Sequence, residues 1–235
     1  MLKVENLHKS FGDKEILKGI SFEVESGKIF GFIGHNGAGK TTTIRCAVGI
    51  LDFDEGSIAI DGKDLKKDPI GCKQVMAYIP DNPDLYDNLT GVQYLNFIGD
   101  MFGVDAFLRT DRIESLAKEL EIYDSLGDPI SALSHGMKQK VAIISAFLHQ
   151  PKLLVLDEPF VGLDPKASYT LKLKMRELCD NGSSIFFSSH VLEVVQKLCD
   201  HIAILKAGEI IRLGKTDEIV HPDQSLEDLF LELEK

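Results

Sequence analysis

The run Gly34-His35-Asn36-Gly37-Ala38-Gly39-Lys40-Thr41-Thr42 has the residue types and spacing that hold phosphate. Gly34, Gly37 and Gly39 permit a tight turn in which successive backbone N–H groups face one concavity. A nest of donors at a helix N-terminus binds phosphate oxygens. Lys40 is spaced to reach β- and γ-phosphates, and the Thr41 hydroxyl can ligate a magnesium ion between them. Two other segments carry reactive groups. Asp157 is a hard oxygen ligand suited to magnesium, and the adjacent Glu158 can polarise an attacking water. His190 can donate to a phosphate, although a lone histidine after a strand reads more simply as a satisfied polar residue. Phe11 can stack on an adenine ring or fill the core, and sequence physics alone favours the core.

The elements around these residues give the phosphate loop its required context. Ile29-Phe30-Gly31-Phe32-Ile33 reads as a buried strand before the loop, and Thr43 to Val48 as the helix after it. Upstream, Ile20, Phe22 and Val24 alternate with polar residues, so the first thirty residues read as antiparallel strands. Ser57 to Ile60 and Val75 to Ile79 read as strands with the turn Asp61-Gly62 between them, and Pro80-Asp81-Asn82-Pro83 as a hinge. From about 88 to 150 the apolar spacing becomes helical. Val92, Leu95 and Ile98 follow a Thr90 cap, then come Ile113, Leu116, Ala117 and Leu120, then a helix from Ser134 that Pro151 halts. This block predicts a helical subdomain inserted between strands.

Leu153-Leu154-Val155-Leu156 then has the continuous apolar character of a central parallel strand, ending in the two carboxylates. Ligands in open α/β sheets gather at the carboxyl ends of strands, which places Asp157 and Glu158 near the phosphate loop. A helix from Pro165 to about Cys179, a strand Ser184 to Ser188 ending beside His190, a helix near Val191 to Leu198 and strands Ile202 to Leu205 and Glu209 to Leu213 complete the pattern. In the tail, Leu226, Leu229, Phe230 and Leu233 share one helical face and are expected to pack on the core.

Composition limits the function classes. Residues are 44% hydrophobic, which opposes disorder, and 26 basic against 37 acidic residues give a net charge of −11, which opposes a broad nucleic-acid footprint. No apolar run approaches the roughly 18 residues of a membrane span, and the N-terminus lacks the apolar centre of a signal peptide, so a cytoplasmic protein is expected. Cys46, Cys72, Cys179 and Cys199 are too scattered for a metal finger and are expected to be free and buried.

Taken in order, the phosphate loop, Leu133-Ser134-His135-Gly136-Met137, Leu153 to Glu158, Gly162-Leu163-Asp164 and His190 resemble the motifs of ABC transporter nucleotide-binding subunits, over essentially the whole chain. The resemblance implies one α/β domain, residues 1–235: a phosphate-loop NTPase core with an N-terminal antiparallel β subdomain and an inserted α-helical subdomain. It implies ATP and magnesium as ligands, with Phe11 as the adenine-stacking aromatic, Gly34 through Thr42 as Walker A, Asp157 ending Walker B, Glu158 as catalytic glutamate and His190 as switch histidine. Asp81 falls where the family usually has a glutamine, near magnesium and the attacking water. Ser134 and Gly136 fall on the signature segment that contacts ATP bound to a partner chain, as a homodimer or with a related ATPase chain. His135 and Met137 depart from the usual Leu-Ser-Gly-Gly-Gln. His8, His149, His201 and His221 receive no catalytic role, nor do the His35 and His135 rings. The resemblance further implies an exporter-type ATPase at the cytoplasmic membrane face, joined to separate permease subunits through Leu85 and Tyr86. The alternative is a soluble ABC-type switch, for example in iron–sulfur assembly.

Overall fold

A computed structural model describes residues 1–220 and 224–234; His221 lies outside them. In chain order the elements are β1 (Leu2–Phe11), β2 (Lys14–Val24), β3 (Ile29–Gly34), α1 (Lys40–Ala47), β4 (Glu55–Ile60), β5 (Lys63–Asp64), α2 (Pro69–Lys73), β6 (Met76–Ile79), α3 (Gly91–Met101), α4 (Ala106–Glu119), α5 (His135–Leu148), β7 (Leu153–Asp157), α6 (Pro165–Asp180), β8 (Ser184–Ser188), α7 (Leu192–Leu198), β9 (His201–Lys206), β10 (Glu209–Lys215), α8 (Thr216–Ile219) and α9 (Leu226–Glu234).

They form two sheets. An antiparallel sheet has the order β2-β1-β4-β5, and a second sheet the order β10-β9-β3-β8-β7-β6, parallel throughout except for β10. The predicted fold class therefore stands. The alternating residues of β2 put Ile20, Phe22 and Val24 inside, and Phe22 meets Phe30 and Phe186 with ring centroids 5.2 and 5.1 Å apart. This aromatic cluster joins the antiparallel sheet to the parallel one, because each ring buries a large apolar area. All four cysteines are free and buried, as expected.

One expected connection is wrong. Asp61-Gly62 turns β4 into the short strand β5 of the same sheet, whereas β6 lies in the other sheet beyond α2. The intervening α2 starts at Pro69 and is capped by Asp68, whose carboxylate accepts from Gly71 N at 2.9 Å. Five helical residues are too few for a periodic pattern to stand out.

The helical stretch runs from Gly91 to Leu148 between β6 and β7. Thr90 forms the predicted cap: its hydroxyl accepts from Gln93 N at 3.2 Å while Gln93 Oε1 accepts from Thr90 N at 2.9 Å. Leu95, Ile113, Ala117 and Val141 join one buried cluster with Leu154 and Ile185 of the sheet. The arrangement matters at the sheet's carboxyl edge. Adjacent strands β3, β8, β7 and β6 end respectively in the glycine loop, Ser189-His190, Asp157-Glu158 and Pro80-Asp81.

Candidate active site

The glycine loop starts where β3 ends and closes into α1 through Gly39, whose φ of 112° lies in the region that glycine tolerates. A Cβ there would come within 2.8 Å of Leu17 Cδ2, a side-chain end that would have to shift to make room. Lys40 is buried, and its Nζ donates to the carbonyl oxygens of Gly34 at 2.6 Å and His35 at 3.2 Å. Burial pushes the Lys40 pKa down, while the charges of Glu158 and Asp157 oppose that shift. The ammonium thus sits within the loop with two carboxylates nearby. Thr43, by contrast, is structural: its hydroxyl donates to Gly39 O at 2.9 Å and is fully buried.

Strand register brings the acidic pair to its partners. Asp157 lies opposite Ser188, and Ser188 Oγ donates to Asp157 Oδ1 at 2.5 Å. The second carboxylate oxygen, Oδ2, is buried without a hydrogen-bond partner. A buried carboxylate oxygen left bare is costly unless a cation or donor meets it, so Asp157 with Thr41 is a donor set that fits magnesium. Among the described residues no group of three or more His, Cys, Asp or Glu can hold a metal unaided, so such an ion needs phosphate oxygens and water as well.

Glu158 has a φ of 50°, unusual for a residue with a side chain, and its N–H donates to both the carbonyl and the hydroxyl oxygen of Ser188 at 3.2 Å. Its Oε2 accepts from His190 Nδ1 at 2.8 Å and from His190 N at 3.2 Å. An ionised carboxylate only accepts, so Nδ1 carries the proton in this pair.

The glycine loop, Glu158 and His190 share a groove, whereas Asp157 is fully buried and lines neither of its cavities. One cavity of about 380 Å³ is lined by Phe11, Lys14 and Ile16 together with His35, Asn36, Gly37, Gly39, Lys40, Thr41 and Thr42. A neighbouring cavity of about 600 Å³ is lined by Gly34, Val161, His190, Leu192 and Phe230. His35, Asn36, Asp81 and Glu158 line both. Ala38 sits beneath the loop, its N–H donating to His35 O at 3.1 Å. The core reading of Phe11 fails: the side chain is 53% exposed at the end of β1, with Lys9 Nζ 5.4 Å from its ring centroid. Its ring is free to take a planar ligand at the groove's end.

The remaining predicted residues lie elsewhere. Ser134 caps α5, its Oγ accepting from Met137 N at 3.3 Å, and neither it nor Gly136 lines either cavity. A Cβ on Gly136 would stand 2.6 Å from Gly162 O, and one on Gly162 would meet the His135 ring at 2.7 Å. The start of α5 therefore packs on the loop after Glu158, a contact reinforced by Lys140 Nζ on Asp164 at 2.7 Å and Gln139 Nε2 on Pro159 O at 3.4 Å. Met137 packs against the core.

The family model described as ABC transporter matches residues 17–161. The chain belongs to the ABC transporter family. It is an ATP-binding subunit of that family and resembles the ABC-type transporter ATP-binding protein EcsA of Bacillus subtilis at 38% identity, covering 100% of this chain and 97% of the relative. The linearmycin resistance ATP-binding protein LnrL of the same organism is 37% identical over 92% of the chain and 70% of its own length. A solved structure of an ATP-binding subunit of an ABC transporter is 35% identical, with a TM-score of 0.96 and full coverage of both chains.

Some residues in and behind the ABC subunit's groove carry no site role in the sequence reading. Ser188 holds Asp157, and the signal was the strand register, which pairs the two positions only after β7 and β8 are aligned. Lys14 and Ile16 join the groove from β2, Val161 from the loop after β7, Leu192 from α7 and Phe230 from α9, and no local motif marks them.

Proposed function

We propose that the groove along β3, β8, β7 and β6 binds and hydrolyses ATP, with the energy spent on export through separate membrane-spanning subunits. The observation that carries this reading is the convergence of Lys40, Asp157, Glu158 and His190 at adjacent strand ends. Phe11 stacks on the adenine, and the backbone N–H groups of residues 34–42 with Lys40 hold the phosphates. Thr41 and Asp157, with Asp81 nearby, hold magnesium, which supplies charge neutralisation at the phosphates when bound. Glu158 accepts the proton of the attacking water, and the Ser188 and His190 bonds fix its orientation. His190 then contacts the γ-phosphate.

Ser134 and Gly136 line neither cavity of the chain's own groove, which supports a head-to-tail pair in which the start of α5 closes the partner's site. Contact of that segment with the loop after Glu158 gives closure a route to the catalytic carboxylate. We read residues 1–235 as one ATPase domain working at the cytoplasmic membrane face. No described helix is long and apolar enough to cross a membrane, so anchoring is assigned to a partner. Tyr86, 56% exposed, meets Tyr94 and Phe97 edge-on at 6.0 and 5.6 Å, and with Leu85 forms the apolar surface for that partner. The name of LnrL, a resistance protein, supports export.

Purification of the native complex from detergent-solubilised membranes tests this. Recovery of a multi-spanning protein encoded on another chain is expected. Recovery of soluble partners alone would overturn transport in favour of an ATP-driven soluble switch.

A further inference from the structure

The second cavity of the groove has one wall that belongs to no motif. Phe230, on the last helix, lies with its ring centroid 4.7 Å from that of His35, at an interplanar angle of 48°. We infer that Phe230 is a positioning residue for the phosphate loop, holding the loop in its binding shape through His35. The inference rests on the ATP-binding reading of the groove.

Two observations separate this role from simple packing of a terminal helix. First, α9 is secured at both ends by other groups. Leu226 is fully buried and its N–H donates to Gln196 Oε1 at 2.9 Å, while Leu233 O accepts from Lys206 Nζ at 2.7 Å. Leu229, Phe230 and Leu233 all pack against the core, so the Phe230 ring meets both the core and the loop. Leu226, Leu229 and Leu233 remain to hold the helix when the Phe230 ring is removed.

Second, the residue that Phe230 touches is connected to the phosphate-binding groups. The carbonyl of His35 accepts from Lys40 Nζ at 3.2 Å and from Ala38 N at 3.1 Å. His35, Asn36 and Gly37 form an exposed stretch, and Gly37 has a φ of 82° that its lack of a side chain makes easy to vary. An exposed glycine-rich segment opens readily unless it is pinned, and a segment held in its bound shape loses less freedom on binding. Phe230 supplies such a pin from outside the loop. Phe230 shares its cavity with Glu158 and His190, but its ring lies against His35 of the loop, so the ring should affect nucleotide binding more than the chemical step.

The test is steady-state ATP hydrolysis by the purified full chain, with folding checked by circular dichroism and thermal midpoint. Phe230→Ala is expected to raise the KM for ATP about three- to tenfold, the range of an aromatic pair's contribution, with kcat within about twofold. Phe230→Tyr, which keeps the ring, is expected to restore the parent KM. Leu231→Ala, on a neighbouring side chain that is 60% exposed, is expected to change neither constant. Should Phe230→Ala not fold, Phe230→Leu keeps apolar bulk without the ring and is expected to show the KM shift. A parent-like KM in the folded ring-less variant would overturn the inference, as would an equal shift in Leu231→Ala or a fall in kcat at constant KM. Lys40→Ala in the same assay separates the two readings. If it retains turnover, the site assignment falls; if it is inactive while Phe230→Ala behaves like the parent, only the role of Phe230 falls.

Discussion

Replacing Glu158 by glutamine is expected to lower ATP turnover by roughly two to four orders of magnitude, with ATP affinity within about twofold of the parent. The substitution removes the proton acceptor but nearly preserves shape. Glutamine Oε1 can still accept from His190 Nδ1, so the bond that orients the side chain in the parent, 2.8 Å long, has a replacement. The backbone bonds to Ser188 do not involve the side chain and are kept, so the left-handed turn after β7 survives. Turnover and equilibrium binding of a fluorescent ATP analogue measure the two halves of this expectation. Normal hydrolysis by the variant would move the role of base to another group in the groove, with Asp81, the other carboxylate that lines both cavities, as the alternative.

Lys40→Ala is expected to weaken ATP binding by about a hundredfold or more, on the order of 3 kcal/mol, without unfolding the chain. A buried ammonium that meets phosphate oxygens makes charge-assisted bonds that alanine cannot replace. Stability should change little, because the same burial pushes the Lys40 pKa down and already opposes its charge in the folded chain. The carbonyls of Gly34 and His35 lose one donor, but both residues line the cavity, where water can take the ammonium's place. Binding measured by calorimetry, with the thermal midpoint as control, checks both statements. An unchanged affinity would remove the phosphate-loop assignment.

Much of this site was readable in the amino-acid order because its chemistry is local. The glycine loop, the apolar run ending in Asp157-Glu158 and the strand before His190 each announce themselves within about ten residues. Parallel-sheet logic then puts their ends on one edge. The signature helix was equally clear, since Ser134 caps it and Pro151 follows its end. What escaped depends on long-range pairing. Ser188 acquires its role only from register with Asp157, and Phe230 reaches His35 from 195 positions along the chain. Phe11 misled for a different reason. An aromatic after an alternating strand ordinarily turns inward, but β1 runs on to the rim of the groove, where a ring can remain exposed to meet a ligand. The Asp61-Gly62 turn was recognised, yet its partner strand is only two residues long and carries no periodic signal.

The pairing of two chains around ATP is open to one measurement: the mass of the Glu158→Gln chain in solution, by light scattering after size exclusion, with and without magnesium and ATP. Blocked hydrolysis should trap the closed form, so a monomer is expected without nucleotide and a dimer with it, unless the native pair requires a related chain, which must then be supplied in equal amount. A further Ser134→Arg change should return the ATP-loaded chain to monomer, because it obstructs the segment assigned to the partner's site. A monomeric mass in ATP with the related chain present, or a dimer indifferent to Ser134→Arg, would contradict the head-to-tail arrangement.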